Sequence, residues 1–237
     1  MNLALIIAGG YGKRMKNDVP KQFLNVYDKP VIIYTLEAFQ MHPEIDAIGV
    51  VCIDGWHEIL KAYARQEKIS KLKWIVSGGE CGQESIYNGI MEAKKYCKND
   101  DIILVHDAIR PMVSQEIISD AIIKCNTYGS AVAAISCTTA VLEYNNHNNN
   151  ESSKIVDRGK LAMTQTPQAF SLGKLIWAHE EARKKNINES VASCTLMIEL
   201  GEKVHFSLGS ETNIKLTTQG DLEIFKALLY AKKRSSF

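Results

Sequence analysis

Short apolar runs that alternate with helical patterns constrain the fold of this chain more than any other feature of its sequence. Residues 3–8 form a continuous apolar run, which ends at Gly9 and Gly10. A run of this kind is typical of a strand buried on both faces of a parallel sheet. Residues 47–53 form a second run, and the apolar residues of the segment 31–41 recur at helical spacing. The chain therefore begins with a predicted β-α-β unit.

The alternation of strands and helices continues along the chain. It predicts an α/β fold with an open, Rossmann-like and mostly parallel sheet, whose ligands bind at the carboxyl ends of the strands. Because no internal repeat and no long linker is present, we expect one domain over residues 1–237. The further predicted strands are 74–76, 102–105 and 204–208, and the further predicted helices are 84–97, 115–127, 172–185, 191–200 and 221–232.

A segment at about 136–160 interrupts this alternation. Two β-prone stretches, 138–144 and 154–158, flank an Asn-rich tract at 145–150. This pattern predicts a β-hairpin arm that protrudes from the sheet. A disordered loop is the alternative, because an Asn/Ser tract has little apolar surface to bury.

The charge balance and the cysteines argue against several classes of protein. The chain has 28 Lys and Arg residues against 27 Asp and Glu residues, a balance that argues against a general binder of nucleic acid or of anionic membranes. Its six cysteines form no C-x-x-C pair and have no histidine at zinc-ligand spacing, which argues against a structural zinc site. No apolar stretch approaches the roughly 18 residues of a membrane span. We therefore expect a cytoplasmic protein with reduced thiols.

The turn after the first strand carries the strongest chemical signal. It reads AGGYGKRM at 8–15, and PKQ follows at 20–22. Glycines let backbone N–H groups approach an anion. Lys13, Arg14 and Lys21 add three cations that a dinucleotide site would not need. We infer a triphosphate site that stabilises a displacement at phosphorus by charge, with a solvated basic turn as the alternative.

Six strings in chain order carry a resemblance to a known enzyme family. The first string is this turn with its PKQF sequence. The other five are GGxxxxxS at 78–85, VHDAIRP at 105–111, DR at 157–158, QTPQ at 165–168 and NIKLT at 213–217. The chain resembles, over nearly its whole length, the cytidylyltransferases that activate 2-C-methyl-D-erythritol 4-phosphate or ribitol 5-phosphate. The resemblance implies a nucleotidyltransferase-type fold, CTP and a polyol phosphate as substrates, and Mg²⁺.

The resemblance assigns the catalytic and nucleotide-binding residues. Arg14 and Lys21 match the cations that bind the triphosphate and stabilise the transition state, and Lys215 matches a lysine that works with them. No general base is needed, because a phosphate monoester is already ionised at neutral pH. For Ser85, a plain helix cap is the alternative. The implied nucleotide-binding residues are Ala8, Gly9, Gly10, Gly12, Lys13, Gly79, Glu80 and Ser85.

On the substrate side, Asp107 and Arg110 match residues at the polyol phosphate, and Asp107 also matches a residue near the metal. A local ion pair between these two side chains is the alternative. His106 is expected to be a packed histidine, because the reaction has no proton for it to move. Arg158 and Thr166, with Thr139 nearby, match residues that reach the substrate of a neighbouring subunit. The resemblance therefore implies a homodimer that exchanges the arm at about 136–160.

Three departures from the family pattern concern the polyol. Gly82 replaces a usual arginine, Thr138 replaces an aspartate, and Val191-Ala192 replaces a Thr-Asp pair. The strings at 165–168 and 209–217 look closer to the ribitol-phosphate branch. We therefore expect a linear alditol phosphate as substrate and a CDP-alditol, a cell-surface polysaccharide precursor, as product. Transfer to 2-C-methyl-D-erythritol 4-phosphate is the alternative.

Two hypotheses from other functional classes are alternatives to cytidylyl transfer. An NAD-dependent dehydrogenase would use the glycine turn and Asp54 for the dinucleotide, but the turn lacks the third glycine and carries cations. A non-catalytic nucleotide-sensing protein on the same fold would not need Arg14, Lys21 and Lys215 around one phosphate.

Overall fold

The apolar runs of the sequence form the middle of a seven-stranded sheet in a computed structural model, which describes residues 1–10, 19–145 and 150–235. The strands are β1 (Asn2–Ala8), β2 (Asn25–Val26), β3 (Lys29–Pro30), β4 (Ala47–Cys52), β5 (Leu72–Ser77), β6 (Ile102–Asp107), β7 (Ser130–Ser136), β8 (Val141–Glu143), β9 (Lys154–Val156), β10 (Ala162–Ser171) and β11 (Phe206–Leu208). The sheet order is β11-β7-β10-β6-β1-β4-β5, and only β10 runs antiparallel to its neighbours among these strands. The predicted mostly parallel α/β sheet is therefore confirmed.

Helices cover both faces of this sheet. They are α1 (Val31–Met41), α2 (His57–Gln66), α3 (Gly82–Ala93), α4 (Gln115–Tyr128), α5 (Leu172–Lys184), α6 (Ser193–Glu199) and α7 (Gln219–Ser235). Alternate residues of β1 explain the two layers. Ala4 and Ile6 pack into a core with α1, α2 and α4, whereas Leu3 and Leu5 pack into a second core with α3, α5 and α6. None of the helices in the described part of the chain is long and apolar enough to cross a membrane.

Strands β7 and β10 were not predicted from the sequence. Strand β10 contains Pro167, a residue that argues against a central strand because it cannot donate to the ladder. The register of β10 against β7 shifts between Thr164 and Gln168, so Pro167 lies where the ladder is interrupted. Strand β6 is also longer than predicted, and Asp107 is its last residue rather than the start of a turn.

The predicted arm is a β-hairpin. Strands β8 and β9 pair antiparallel as a separate two-stranded sheet, with Leu142 opposite Ile155. These two side chains are 58% and 87% exposed, so the hairpin presents an apolar face to its surroundings. Residues 146–149, in the predicted Asn-rich tract, lie outside the described residues.

Candidate functional site

Two adjoining hollows lie at the carboxyl ends of β1 and β6, where α/β sheets bind their ligands. The glycine-loop hollow has a volume of about 570 Å³ and is lined by residues from the first turn and from the 79–85 segment. The β10 hollow has a volume of about 290 Å³ and is lined by residues from β10 and from the start of α6. The residues that line both hollows, and so mark the seam between them, are Ile7, Gly82, Asp107 and Lys215.

A buried glutamine holds the glycine loop in place. The Gln22 side-chain amide donates to the carbonyl oxygens of Ala8 at 2.7 Å and of Gly10 at 3.1 Å. Lys21 precedes it in a 3-10 turn and lines the glycine-loop hollow. The PKQF string predicted a role for Lys21 but none for Gln22, although a polar residue between Lys21 and Phe23 was the available signal. Gly12, Lys13 and Arg14 lie outside the described residues.

Backbone N–H groups in the segment from Gly79 to Ser85 donate hydrogen bonds to side chains of the same segment. The Ser85 hydroxyl accepts from the Gly79 N–H at 3.0 Å, and the Glu84 carboxylate accepts from the Glu80 N–H at 2.7 Å. The N-cap of α3 is Cys81, whose sulfur accepts from the Glu84 N–H. Ser85 is therefore not the helix cap, and its hydroxyl instead orders the loop of the glycine-loop hollow.

Close packing explains why this hollow needs a glycine in the first turn. A Cβ atom on Gly9 would lie 3.1 Å from the Ser85 hydroxyl oxygen and 3.3 Å from the Gly78 Cα atom. Even an alanine at Gly9 would therefore require the first turn or the segment that follows β5 to shift by a few tenths of an ångström.

Asp107 binds two cations at the seam between the hollows. Its carboxylate accepts from Arg110 Nε at 3.1 Å and from Lys215 Nζ at 3.0 Å. Burial alone would raise the pKa of Asp107, but Lys215 and Arg110 outweigh it and hold that pKa below its ordinary value. The local Asp–Arg pair considered from the sequence is therefore present. Lys215, which is 108 residues away in the chain, joins it.

Asp107 is also fixed through its backbone. Its N–H donates to the Thr166 hydroxyl at 3.1 Å, and that hydroxyl lies 3.0 Å from His106 Nδ1. His106 Nε2 lies 3.2 Å from the Arg110 carbonyl oxygen. Burial lowers the pKa of His106 to about 4, so the imidazole is neutral at pH 7. A neutral ring accepts from the Thr166 hydroxyl and donates to the Arg110 carbonyl oxygen, so His106 is packed, as the sequence predicted, and these contacts also give it a positioning role.

The remaining predicted substrate residues lie on the arm side of the molecule. Thr139 and Arg158 are exposed, and the Arg158 guanidinium donates to the Thr138 carbonyl oxygen. Neither residue lines the two hollows in the described part of the chain, whereas Thr166 lines the β10 hollow. The structure thus brings Thr166 to Asp107 of the same chain and leaves Thr139 and Arg158 apart from them.

Comparisons with known proteins identify the family of the chain. Residues 2–231 match the family described as IspD: 2-C-methyl-D-erythritol 4-phosphate cytidylyltransferase. The ribitol-5-phosphate cytidylyltransferase of Lacticaseibacillus paracasei is 42% identical and covers 98% of this chain and 100% of the relative. The enzyme of the same name from Vibrio parahaemolyticus is 39% identical over 97% and 96%. A 2-C-methyl-D-erythritol 4-phosphate cytidylyltransferase of Clostridium botulinum is 35% identical over 96% and 97%.

Solved structures support the fold. The crystal structure of a 4-diphosphocytidyl-2C-methyl-D-erythritol synthase matches with a TM-score of 0.79 at 24% identity, over 96% of this chain and 98% of that one. On the family match over residues 2–231 and the similarity of full-length relatives, the chain belongs to the 2-C-methyl-D-erythritol 4-phosphate cytidylyltransferase family and is a CTP-using nucleotidyltransferase.

Proposed function

We propose that this enzyme transfers CMP from CTP to ribitol 5-phosphate or a related linear alditol phosphate and releases pyrophosphate. The observation that carries the proposal is the position of Lys215 and Asp107 at the seam of two hollows, with Lys21 lining the larger one. One hollow is large enough for a nucleotide, and the other is suited to a small polar molecule. Reacting phosphates bound in the two hollows would meet at the seam.

Lys21 and Lys215 would act on charge that develops at the α-phosphorus of CTP. An oxygen of the alditol phosphate attacks this phosphorus, a new P–O bond forms, and the bond to the β-phosphate oxygen breaks. Pyrophosphate leaves with the electron pair. The two ammonium groups stabilise the negative charge that gathers on the transferring group. Because the attacking phosphate is already ionised, no side chain needs to accept a proton.

The proposed nucleotide contacts use the ordered loop from Gly79 to Ser85. A backbone carbonyl in this loop can accept from the exocyclic amine of cytosine, which uracil lacks. Gly9 and Gly10 expose backbone at the triphosphate end of the same hollow. Arg14 is proposed from the family resemblance to bind the triphosphate with Lys21.

We also propose Mg²⁺ as the metal of the reaction, with Asp107 as the residue that would hold it through water. Among the described residues, no three His, Cys, Asp or Glu side chains group as metal ligands. Both carboxylate oxygens of Asp107 already accept from cations, Arg110 and Lys215. A Mg²⁺ ion that takes most of its ligands from the triphosphate and from water fits this donor set. When bound, the ion would neutralise charge on the triphosphate.

A homodimer with exchanged arms is the proposed assembly. The hairpin places Leu142 and Ile155 opposite each other, and both are exposed. An isolated two-stranded hairpin is marginally stable, so an apolar face on it is best explained by a second copy of the chain. Arg158, at the base of the arm, would then reach the alditol phosphate bound by the partner. We place the reaction in the cytoplasm, where CTP is available.

The proposal is tested by measuring pyrophosphate release with CTP and Mg²⁺ on ribitol 5-phosphate, other alditol phosphates and 2-C-methyl-D-erythritol 4-phosphate. We expect the highest kcat/KM with a linear alditol phosphate of about five carbons, because a site with partners for extra hydroxyls rejects a substrate that lacks them. Replacement of CTP by UTP is the matched control and should abolish most of the turnover. Equal or better use of methylerythritol phosphate would overturn the alditol assignment, and no turnover with any polyol phosphate would overturn the proposed function.

A further inference from the structure

One hydroxyl of the β10 hollow is buried without a partner. Ser193 is 3% exposed, and its hydroxyl oxygen has no hydrogen-bond partner among the described residues. Ser193 also lines the β10 hollow together with Asp107, Arg110 and Lys215. Buried polar groups in proteins are nearly always paired, so an unpaired hydroxyl on a residue that lines a binding hollow requires an explanation.

The local fold does not use this hydroxyl. Ser193 is the first residue of α6, but the turn before the helix is closed by Thr195 instead. The Ala192 N–H donates to the Thr195 hydroxyl at 2.9 Å, and that hydroxyl donates to the Ala192 carbonyl oxygen at 2.8 Å. The Ser190 and Thr195 hydroxyls are also 2.8 Å apart. The helix start is therefore complete without Ser193.

Neighbouring amides in the hollow are already engaged. The Gln168 side chain accepts from the Cys194 N–H at 2.9 Å and donates to the Gln165 carbonyl oxygen at 3.3 Å. The Gln165 side chain donates to the Ser210 carbonyl oxygen and accepts from the Ser210 N–H. These contacts hold the wall of the hollow and leave the Ser193 hydroxyl without a partner among the described residues.

We infer that Ser193 is a specificity-determining residue whose hydroxyl pairs with a carbon-borne hydroxyl of the alditol chain, an inference that rests on the proposed function. The charged groups Asp107, Arg110 and Lys215 suit the phosphate end of such a substrate. A serine hydroxyl both donates and accepts, so it can pair with an alcohol in either direction. A linear five-carbon alditol phosphate carries one more free hydroxyl than methylerythritol phosphate, whose branching methyl cannot pair. Ser193 would therefore favour the linear substrate.

The test measures kcat and KM for Ser193→Ala with ribitol 5-phosphate, methylerythritol phosphate and CTP. We expect kcat/KM for ribitol 5-phosphate to fall about tenfold, mostly through KM, because one neutral hydrogen bond is lost. KM for CTP should stay within about twofold, and any use of methylerythritol phosphate should be unchanged or improved. Ser207→Ala is the matched control, because the buried Ser207 hydroxyl on β11 also has no partner within the described part of the chain, and Ser207 lines neither hollow there.

A series of monodeoxy ribitol 5-phosphates identifies the partner hydroxyl. Wild type and Ser193→Ala should use one member of the series equally well, because that substrate lacks the hydroxyl that Ser193 binds. Ser193→Cys, which keeps the shape of the side chain but bonds weakly, is the second variant if the alanine lowers the melting temperature.

Two results would overturn the inference alone. One is a change in kcat/KM for ribitol 5-phosphate of less than about threefold in both variants. The other is an equal loss on every substrate and every monodeoxy member, which is the behaviour of a structural residue. If wild type itself uses no polyol phosphate, the proposed function fails as well, so the two failures are distinguishable.

Discussion

The cleft, which consists of the two hollows at the carboxyl ends of β1 and β6, and the arm, which consists of β8 and β9, differ in how they are stabilised. In the cleft, Asp107 ends the buried strand β6 and contacts Lys215, which is 108 residues away in the chain. In the arm, β8 and β9 share three ladder pairs, and Ile155 is 87% exposed. The cleft is therefore preorganised within one chain, whereas the arm has no core of its own. In the proposed assembly, charge stabilisation would belong to the single chain and the arm would act through a second copy.

The largest expected effect is on the cations of the cleft. Lys215→Ala and Lys21→Ala should each lower kcat by roughly 10²–10³-fold, because both groups act on charge that develops in the transition state. KM for CTP should change much less. Lys226→Ala is the matched control, since this lysine pairs with Glu223 on α7 and lines neither hollow. Turnover within threefold of wild type for either cleft variant would contradict the catalytic assignment.

A second prediction uses the buried histidines His106 and His179 to distinguish an effect on the stability of the protein from an effect on the position of Asp107. Burial lowers the pKa values of His106 and His179 to about 4. The unfolded chain takes up protons below about pH 6.5 while the folded chain does not, so the free energy of unfolding falls between about pH 6.5 and 4. Each histidine accounts for roughly 3 kcal/mol of that fall. His106→Gln and His179→Gln should each reduce the pH dependence, as measured by denaturant unfolding across this range.

Activity distinguishes these two histidine variants. His106 contacts Thr166 and Arg110, which frame Asp107, whereas His179 lies on α5 and lines neither hollow. His106→Gln should lower kcat/KM for the polyol phosphate, and His179→Gln should leave it unchanged. Equal activities in the two variants would show that the backbone of Asp107 does not depend on the imidazole.

A third prediction tests the arm by mixing two inactive variants, Lys21→Ala and Arg158→Ala. If Arg158 serves the partner's site, each mixed dimer contains one site with both residues intact. Random exchange of subunits should then restore roughly a quarter of wild-type activity. Exchange is followed independently by native mass spectrometry of a tagged chain. Exchange without recovery of activity would assign Arg158 to its own subunit and remove the functional difference between arm and cleft.

The same contrast explains what the sequence could and could not predict. Apolar runs identified β1, β4 and β6, because strands buried on both faces carry little polar sequence. The edge strand β5 was identified from the shorter apolar run at 74–76. Strand β10 escaped prediction because Pro167 lies where the ladder is interrupted and its polar neighbours line the β10 hollow. The resemblance named both Asp107 and Lys215, but their ion pair depends on tertiary packing that no local pattern encodes. The unpaired state of the Ser193 hydroxyl likewise depends on Thr195, which closes the helix start in its place.

The smallest expected effect concerns Gly82, which lies at the seam and begins α3. Among the described residues outside its own helical turn, none has an atom within 4 Å of the position that a Cβ on Gly82 would take. Gly82→Ala should therefore raise the free energy of unfolding by about 0.4–1 kcal/mol, because alanine restricts the unfolded chain. Gly55→Ala is the matched control with the opposite sign, since Gly55 also has open space but a φ of +81°.

Turnover of Gly82→Ala shows whether a substrate occupies the open space at Gly82. If the seam is held by Asp107 and Lys215 alone, Gly82→Ala should keep kcat/KM for the polyol phosphate within about twofold while thermal unfolding shifts upward by a few degrees at most. A tenfold loss of kcat/KM at unchanged stability would instead mean that a substrate occupies the space above Gly82. In that case the glycine would be part of the preorganised cleft, and its departure from the family arginine would be a determinant of the polyol that the enzyme accepts.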